Sequence, residues 1–116
     1  IYMMIIEETK PDSIIELGSG LGGSAIWFAD IAKALGLNTH IYSLDIYKPE
    51  LHHPNVTFIK QNLNNIEELT KTISWSELKG KKILIEDAHV NILKVLNFFD
   101  KYLNKNDYLI IFSTIE

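Results

Sequence analysis

Five short apolar runs, each bounded by turn-forming residues, recur along the chain. They are SIIEL (Ser13 to Leu17), HIYSLDI (His40 to Ile46), VTFIKQN (Val56 to Asn62), KKILIED (Lys81 to Asp87) and DYLIIFST (Asp107 to Thr114). Their length and their content of β-branched and aromatic residues predict strands. Three amphipathic patterns lie between them. Phe28, Ile31, Ala32 and Leu35 fall on one helical face, with Gly36 placed as a C-terminal cap. Ile66, Leu69 and Ile73 follow Asn65 and Glu68, which are spaced as a variant of the capping box. From about Val90 to Leu103, the residues Ile92, Val95, Leu96, Phe99 and Leu103 make one apolar stripe. Ile1 to about Thr9 reads as the end of a helix, stopped before Pro11 because the residue preceding proline is pushed out of the α region.

Strands that read as continuous apolar runs, alternating with amphipathic helices, predict a mostly parallel sheet covered on both faces. With right-handed crossovers the fold class is α/β, a Rossmann-like doubly wound sheet of about five strands. The 116 residues, 47% of them hydrophobic, suit one core, so residues 1–116 are expected to form a single domain. The turn NKND (Asn104 to Asp107) uses residues that tolerate a left-handed conformation.

The formal net charge of −4 and the scattered lysines give no footprint for a nucleic acid or an anionic membrane. With no cysteine there is neither a disulfide framework nor a thiolate zinc site. The opening IYMMIIEETK is too short an apolar run to span a bilayer and lacks the basic start of a signal peptide. The expectation is a soluble cytoplasmic protein; a homo-oligomer is compatible with the sequence and not required by it. His52 and His53 share a proline turn and read as surface residues, and Trp27 and Trp75 as core or interface.

In an open α/β sheet, ligands bind beyond the carboxyl ends of the strands, where the strand order reverses. Polar residues stand at each of those ends: Glu16, Asp45, Gln61 with Asn62, and Glu86, Asp87 and His89. After Glu16, Gly18, Gly20 and Gly23 satisfy G-x-G-x-x-G, and Asp45 lies near the distance at which a dinucleotide fold places its ribose-binding carboxylate. Loop plus carboxylate points to a nucleoside-containing ligand. A carboxylate two residues before the first glycine disfavours a pyrophosphate and favours an ammonium or a sulfonium. S-adenosylmethionine carries both cations. Gln61 and Asn62 would then address the adenine edge, and Asp87 the methionine or acceptor side.

The segments IIELGSGLGGSAIWFADI, IYSLDI, NVTFIKQN and LIEDAHVNILKVLNFFDKYLNKNDYLII resemble class I S-adenosylmethionine-dependent methyltransferases, most of all the cephalosporin hydroxylase-like and macrolide O-methyltransferase branch. The most specific parts are the E-x-G-x-x-x-G-G-S loop from Glu16 to Ser24 and the D-x-H at Asp87 to His89. The resemblance implies that Glu16, Gly18, Ser19, Gly20, Gly23 and Ser24 lie against the methionine portion, Asp45 with Ile46 at the ribose, and Gln61 with Asn62 near adenine. It also implies a magnesium ion held by an acidic residue after the fourth strand and an acidic pair after the fifth. Asp87 matches the first, but the pair falls on Phe112 and Ser113, and neither replaces a carboxylate for a hard cation. Such methyltransferases continue into a final antiparallel hairpin, so a sheet cut before that hairpin is expected.

The activity implied is methyl transfer to oxygen of a small-molecule or sugar hydroxyl, with His89, oriented by Asp87, as the candidate general base. Each feature also has a plainer reading. The glycines can serve close strand-to-helix packing, Asp45, Glu86 and Asp87 can cap loops or helices, and His89 can be a capping or surface residue. Two other functions stay open: a non-catalytic binding or structural relative, and a NAD-binding domain.

Overall fold

The computed structural model describes residues 1–112. Its elements are α1 (Tyr2–Thr9), β1 (Ser13–Leu17), α2 (Gly23–Ala34), β2 (His40–Asp45), β3 (Val56–Lys60), α3 (Ile66–Thr72), a 3-10 turn (Trp75–Glu77), β4 (Lys82–Glu86), α4 (Ile92–Asp100) and β5 (Tyr108–Ile111). The strands form one sheet in the order β3-β2-β1-β4-β5, every neighbouring pair parallel. This is the doubly wound arrangement that the alternating pattern predicts.

Alternate residues of a strand face opposite sides of a sheet, so each central strand contributes to two cores. Ile14, Ile41, Ile83 and Ile85 pack with Ile6 of α1 and Ala25, Phe28 and Ala29 of α2. Ile15, Leu17, Leu44 and Leu84 pack on the other side with Leu69, Trp75, Val95, Phe98 and Phe99. Because both faces are covered, every residue of β1 and β4 is buried, Glu16 and Glu86 included. Among the described residues no helix is long and apolar enough to cross a membrane.

Local chemistry sets the helix ends, with some departures from the sequence pattern. Gly36 (φ 76°) closes α2 as expected, with its N–H bonded to the Lys33 carbonyl and that of Leu37 to Ala32. Asn65 precedes α3 but makes no side-chain cap, so the expected capping box does not form, and Ile73 is already extended. The last helix starts at Ile92 instead of about Val90, because His89 and Asn91 adopt positive φ (56° and 51°) and keep that segment a loop. The NKND turn needs no left-handed residue, since the Asp107 carboxylate accepts the Asn104 N–H at 2.7 Å. His53 is half-buried, tied to Asp30 at 2.9 Å, whereas the reading as surface holds for His52. Trp75 is core and Trp27 is partly exposed. Ser113 and Thr114, the end of the fifth predicted strand, lie outside the described residues.

The strand order reverses between β1 and β4, and there the two following loops touch. Gly18 (φ 103°) accepts this contact only without a side chain, since a Cβ would come within 2.9 Å of the Ala88 nitrogen and the Asp87 carbonyl carbon. Gly23 has an ordinary φ and open space around it. Gly18→Ala is therefore expected to lower the free energy of urea unfolding by roughly 1–3 kcal/mol, while Gly23→Ala stays within about 0.5 kcal/mol of the parent.

Candidate functional site

The carboxyl ends of β1, β2, β3 and β4 surround a cavity of about 360 Å³, within the range usual for small-molecule sites. Gly18 and Gly20 form one wall, Asp45 and Ile46 the next, Gln61 and Asn62 the third, and Asp87 closes the side beneath β4. These seven were singled out in the sequence. Leu63, Asn64, Ala88 and Val90 also line it and carry no sequence signal beyond lying next to strand ends.

Asp45 joins the walls. Its Oδ2 accepts the Gly20 N–H at 2.9 Å, which fixes the glycine loop to the end of β2. Gly20 has φ 55°, and no atom lies within 4 Å of where its Cβ would be, so its bare backbone opens onto space. The Asn62 side-chain oxygen accepts the Asn64 N–H at 3.0 Å, and the Gln61 amide donates to the Asn62 carbonyl at 3.0 Å. These bonds hold the turn after β3 and orient two amide side chains at the cavity.

Glu16 sits below the glycine loop, outside the cavity lining. It is 3% exposed, and its carboxylate accepts hydroxyl hydrogen bonds from Ser43 at 2.6 Å and from Ser24. Ser19 and Ser43 share a further bond of 2.6 Å. One carboxylate thus ties β1, β2, the loop and the first turn of α2 together. Burial pushes the Glu16 carboxyl above its ordinary value of 4.5; the Ser24 and Ser43 hydroxyls oppose the shift, and the negative charges of Asp87 and Asp45 add to it. Ser43, fully buried in β2, was not legible as a site residue. Gly23 starts α2 and stands apart from the cavity.

The loop after β4 is built around Glu86. Its Oε1 accepts the N–H groups of Ala88 (3.1 Å) and His89 (3.0 Å), while its buried Oε2 has no hydrogen-bond partner. His89 is about one-third exposed and does not line the cavity. Its Nε2 stands 3.5 Å from Asp87 Oδ1 and its Nδ1 3.9 Å from Glu86 Oε2. Asp87 and His89 therefore come together as the D-x-H spacing suggested, with Asp87 alone facing the cavity.

Phe112 continues from β5, its N–H bonded to the Glu86 carbonyl at 3.0 Å. Its ring packs on Tyr2 of α1, centroids 5.8 Å apart, and Tyr2 meets Phe28 edge-on at 5.1 Å. Among the described residues no three His, Cys, Asp or Glu side chains are grouped to hold a metal ion. Phe112 thus stands where the sequence resemblance implies a carboxylate partner for Asp87, and Ser113 lies outside the described residues.

A family model described as rhamnosyl O-methyltransferase/CmcI matches residues 1–116. The chain belongs to the rhamnosyl O-methyltransferase/CmcI family. This agrees with the branch suggested by the glycine loop and the D-x-H motif, and gives no support to a NAD-binding domain. Similar proteins include the rhamnosyl O-methyltransferase of Mycobacterium leprae, 29% identical over 119 residues that cover 95% of this chain and 52% of that protein. That of Mycobacterium tuberculosis is 28% identical over 120 residues, covering 95% and 49%. A CmcI structure described as Mg-SAM has a TM-score of 0.84 at 27% identity, covering 95% of this chain and 49% of that one. The MycE methyltransferase in complex with Mg and SAH has a TM-score of 0.68 at 16% identity over 97% and 31%, a likeness of fold. The chain spans about half the length of the curated relatives it matches. In this family the sheet is the Rossmann-like methyltransferase layer.

The buried Glu16 gives a pH signature. Its folded-state pKa is raised, so the stability it contributes is fully present below about 4.5 and is lost as the pH climbs through the folded value. Glu16→Gln removes that titration. The urea midpoint of the parent minus that of Glu16→Gln is expected to fall as the pH rises above 4.5 and then to level off; a difference that is constant or grows with pH would contradict it.

Proposed function

We propose that this chain carries the donor-binding layer of an S-adenosylmethionine-dependent methyltransferase that acts on oxygen of a sugar or small-molecule hydroxyl. The observation that carries the reading is the cavity at the β1/β4 reversal, where a loop bare of side chains at Gly18 and Gly20 faces Asp45 at the end of β2. Family membership supports it, as do relatives described as rhamnosyl O-methyltransferases and CmcI structures described as Mg-SAM and SAH.

In this reading Asp45 accepts hydrogen bonds from the two ribose hydroxyls, with Ile46 beside it. Gln61 and Asn62 offer amide donors and acceptors to an adenine edge. The bare backbone at Gly18 and Gly20 lets the ligand approach closely, and Glu16, with Ser19 and Ser24, supplies a negative field under the loop for an ammonium or sulfonium. When bound, S-adenosylmethionine supplies a methyl group already activated by the sulfonium. What the protein adds is orientation of the acceptor and removal of its hydroxyl proton. Asp87, which faces the cavity, takes that proton and becomes a neutral carboxylic acid, and His89, 3.5 Å away, positions the carboxylate.

The described residues do not fit a magnesium ion, so no step is assigned to one. Phe112 favours a second reading, a non-catalytic relative that keeps the nucleoside seat, because its ring packs on Tyr2 at the position where the sequence resemblance implies a carboxylate. We further place the protein in the cytoplasm with a small-molecule acceptor, and without nucleic-acid or membrane partners, in keeping with its acidic, evenly spread charge.

Isothermal calorimetry with S-adenosylhomocysteine tests the shared core of both readings. The parent is expected to bind, and Asp45→Ala to weaken binding by roughly 10–100-fold through loss of a charged hydrogen-bond acceptor. No binding by folded parent protein, or equal affinity of the variant, would overturn the proposal.

A further inference from the structure

The ten residues between β2 and β3, 46–55, form no regular element, yet they follow Asp45 and begin with Ile46, so they continue one wall of the cavity. A loop of that length moves freely unless side chains hold it. Its course matters for Asp45. The carboxylate Oδ2 accepts the Gly20 N–H at 2.9 Å, which leaves Oδ1 for a ligand. Oδ1 meets the Tyr47 N–H at 3.4 Å, a long contact whose geometry depends on where the loop runs. The Tyr47 side chain is 78% exposed and does not pack the loop down.

Two anchors fix that course instead. Midway, the loop lies against the turn that opens α2. Gly22 has φ 89°, and a Cβ there would come within 3.0 Å of Pro49 Cγ and 3.1 Å of Leu51 Cδ1. Farther on, His53 reaches α2 itself. Its Nδ1 accepts the Asn55 N–H at 3.0 Å, which assigns the ring proton to Nε2, and Nε2 donates to Asp30 Oδ1 at 2.9 Å. Its carbonyl accepts the Val56 N–H at 3.1 Å, where β3 begins.

These contacts close a circuit. From the Gly20–Asp45 bond it runs along the loop to His53, crosses to Asp30, and returns through α2 to Gly22 and Gly20. Both ends of the loop are therefore tied to the segment that forms the glycine wall. A bond to so exposed a carboxylate as Asp30 adds little to global stability. Its effect is local, because it removes loop conformations in which Tyr47 and Asp45 leave their places. Order of this kind is felt as ligand affinity, since the free protein already holds the bound arrangement.

We propose that His53 is a positioning residue for the nucleoside seat: through Asp30 it clamps the β2–β3 loop to α2 and so holds Asp45 Oδ1 where a ribose hydroxyl meets it. This rests on the reading of the cavity as the S-adenosylmethionine seat and adds a control point outside it, since neither His53 nor Asp30 lines the cavity.

Calorimetry with S-adenosylhomocysteine on Asp30→Ala tests it, because Asp30 is exposed and its replacement leaves both cores untouched. Affinity is expected to fall roughly three- to fivefold. Asp30→Asn, which keeps a carbonyl oxygen for the Nε2–H, is expected to bind as the parent does. The same change in an Asp45→Ala background separates positioning from packing. If the clamp acts through Asp45, Asp30→Ala costs no further affinity there, whereas an equal loss in both backgrounds overturns the proposal. Unchanged affinity in Asp30→Ala alone overturns it too, and so does an Asp30→Asn variant as weak as Asp30→Ala. If the parent does not bind S-adenosylhomocysteine, the reading of the cavity falls, and this proposal with it. If the parent binds and Asp45→Ala weakens binding while the Asp30 results fail, the cavity reading stands and the role of His53 falls.

Discussion

A carboxylate buried at the end of the central strand is the constraint on which the site depends. Glu16 lies in β1 with both faces of the sheet covered, so its charge has no water to turn to. It is held by hydroxyls from β2 and from the first turn of α2, and those bonds fix where the glycine loop can run. A buried charge is tolerable only when such partners surround it. The loop is therefore anchored from below by Glu16, from the side by Asp45 and against the neighbouring loop by Gly18. Its remaining open side is the cavity.

The fold was legible because its determinants are local. Continuous apolar strands between amphipathic helices leave few topologies, and a parallel sheet with short loops needs crossovers on both faces. The strand ends were also legible, and Asp45, Gln61, Asn62 and Asp87 meet at one cavity because parallel strands place all their carboxyl ends on one edge. What pattern could not show was contact between segments distant in sequence. Ser43 reads as one polar residue in an apolar strand until it is found opposite Glu16 in the register. Tyr2 reads as one residue of a helical turn until Phe28 and Phe112 close around it. The capping box at Asn65 was misread because a spacing offers a bond without requiring it.

The loop after β4 shows how a motif can be right in composition and different in role. Asp87 and His89 are adjacent, as D-x-H suggested, but the left-handed backbone at His89 delays α4, and the ring comes to lie outside the cavity lining. Glu86, which looked like one more polar strand end, holds the loop in that shape through two backbone amides. At residue 112 the ring of Phe112 belongs to an aromatic cluster that reaches α1 through Tyr2.

The account's central claim is that the loop held by Glu16 and Asp45 seats a nucleoside at the β1/β4 reversal. A crystal structure of the protein soaked with S-adenosylhomocysteine tests it most directly. The account predicts ribose hydroxyls within hydrogen-bond distance of the Asp45 carboxylate, roughly 2.6–3.0 Å, the adenine beside Gln61 and Asn62, and Glu16 still bonded to Ser24 and Ser43. Ligand density elsewhere on the protein, or a glycine loop that releases Glu16 to admit the ligand, would contradict it.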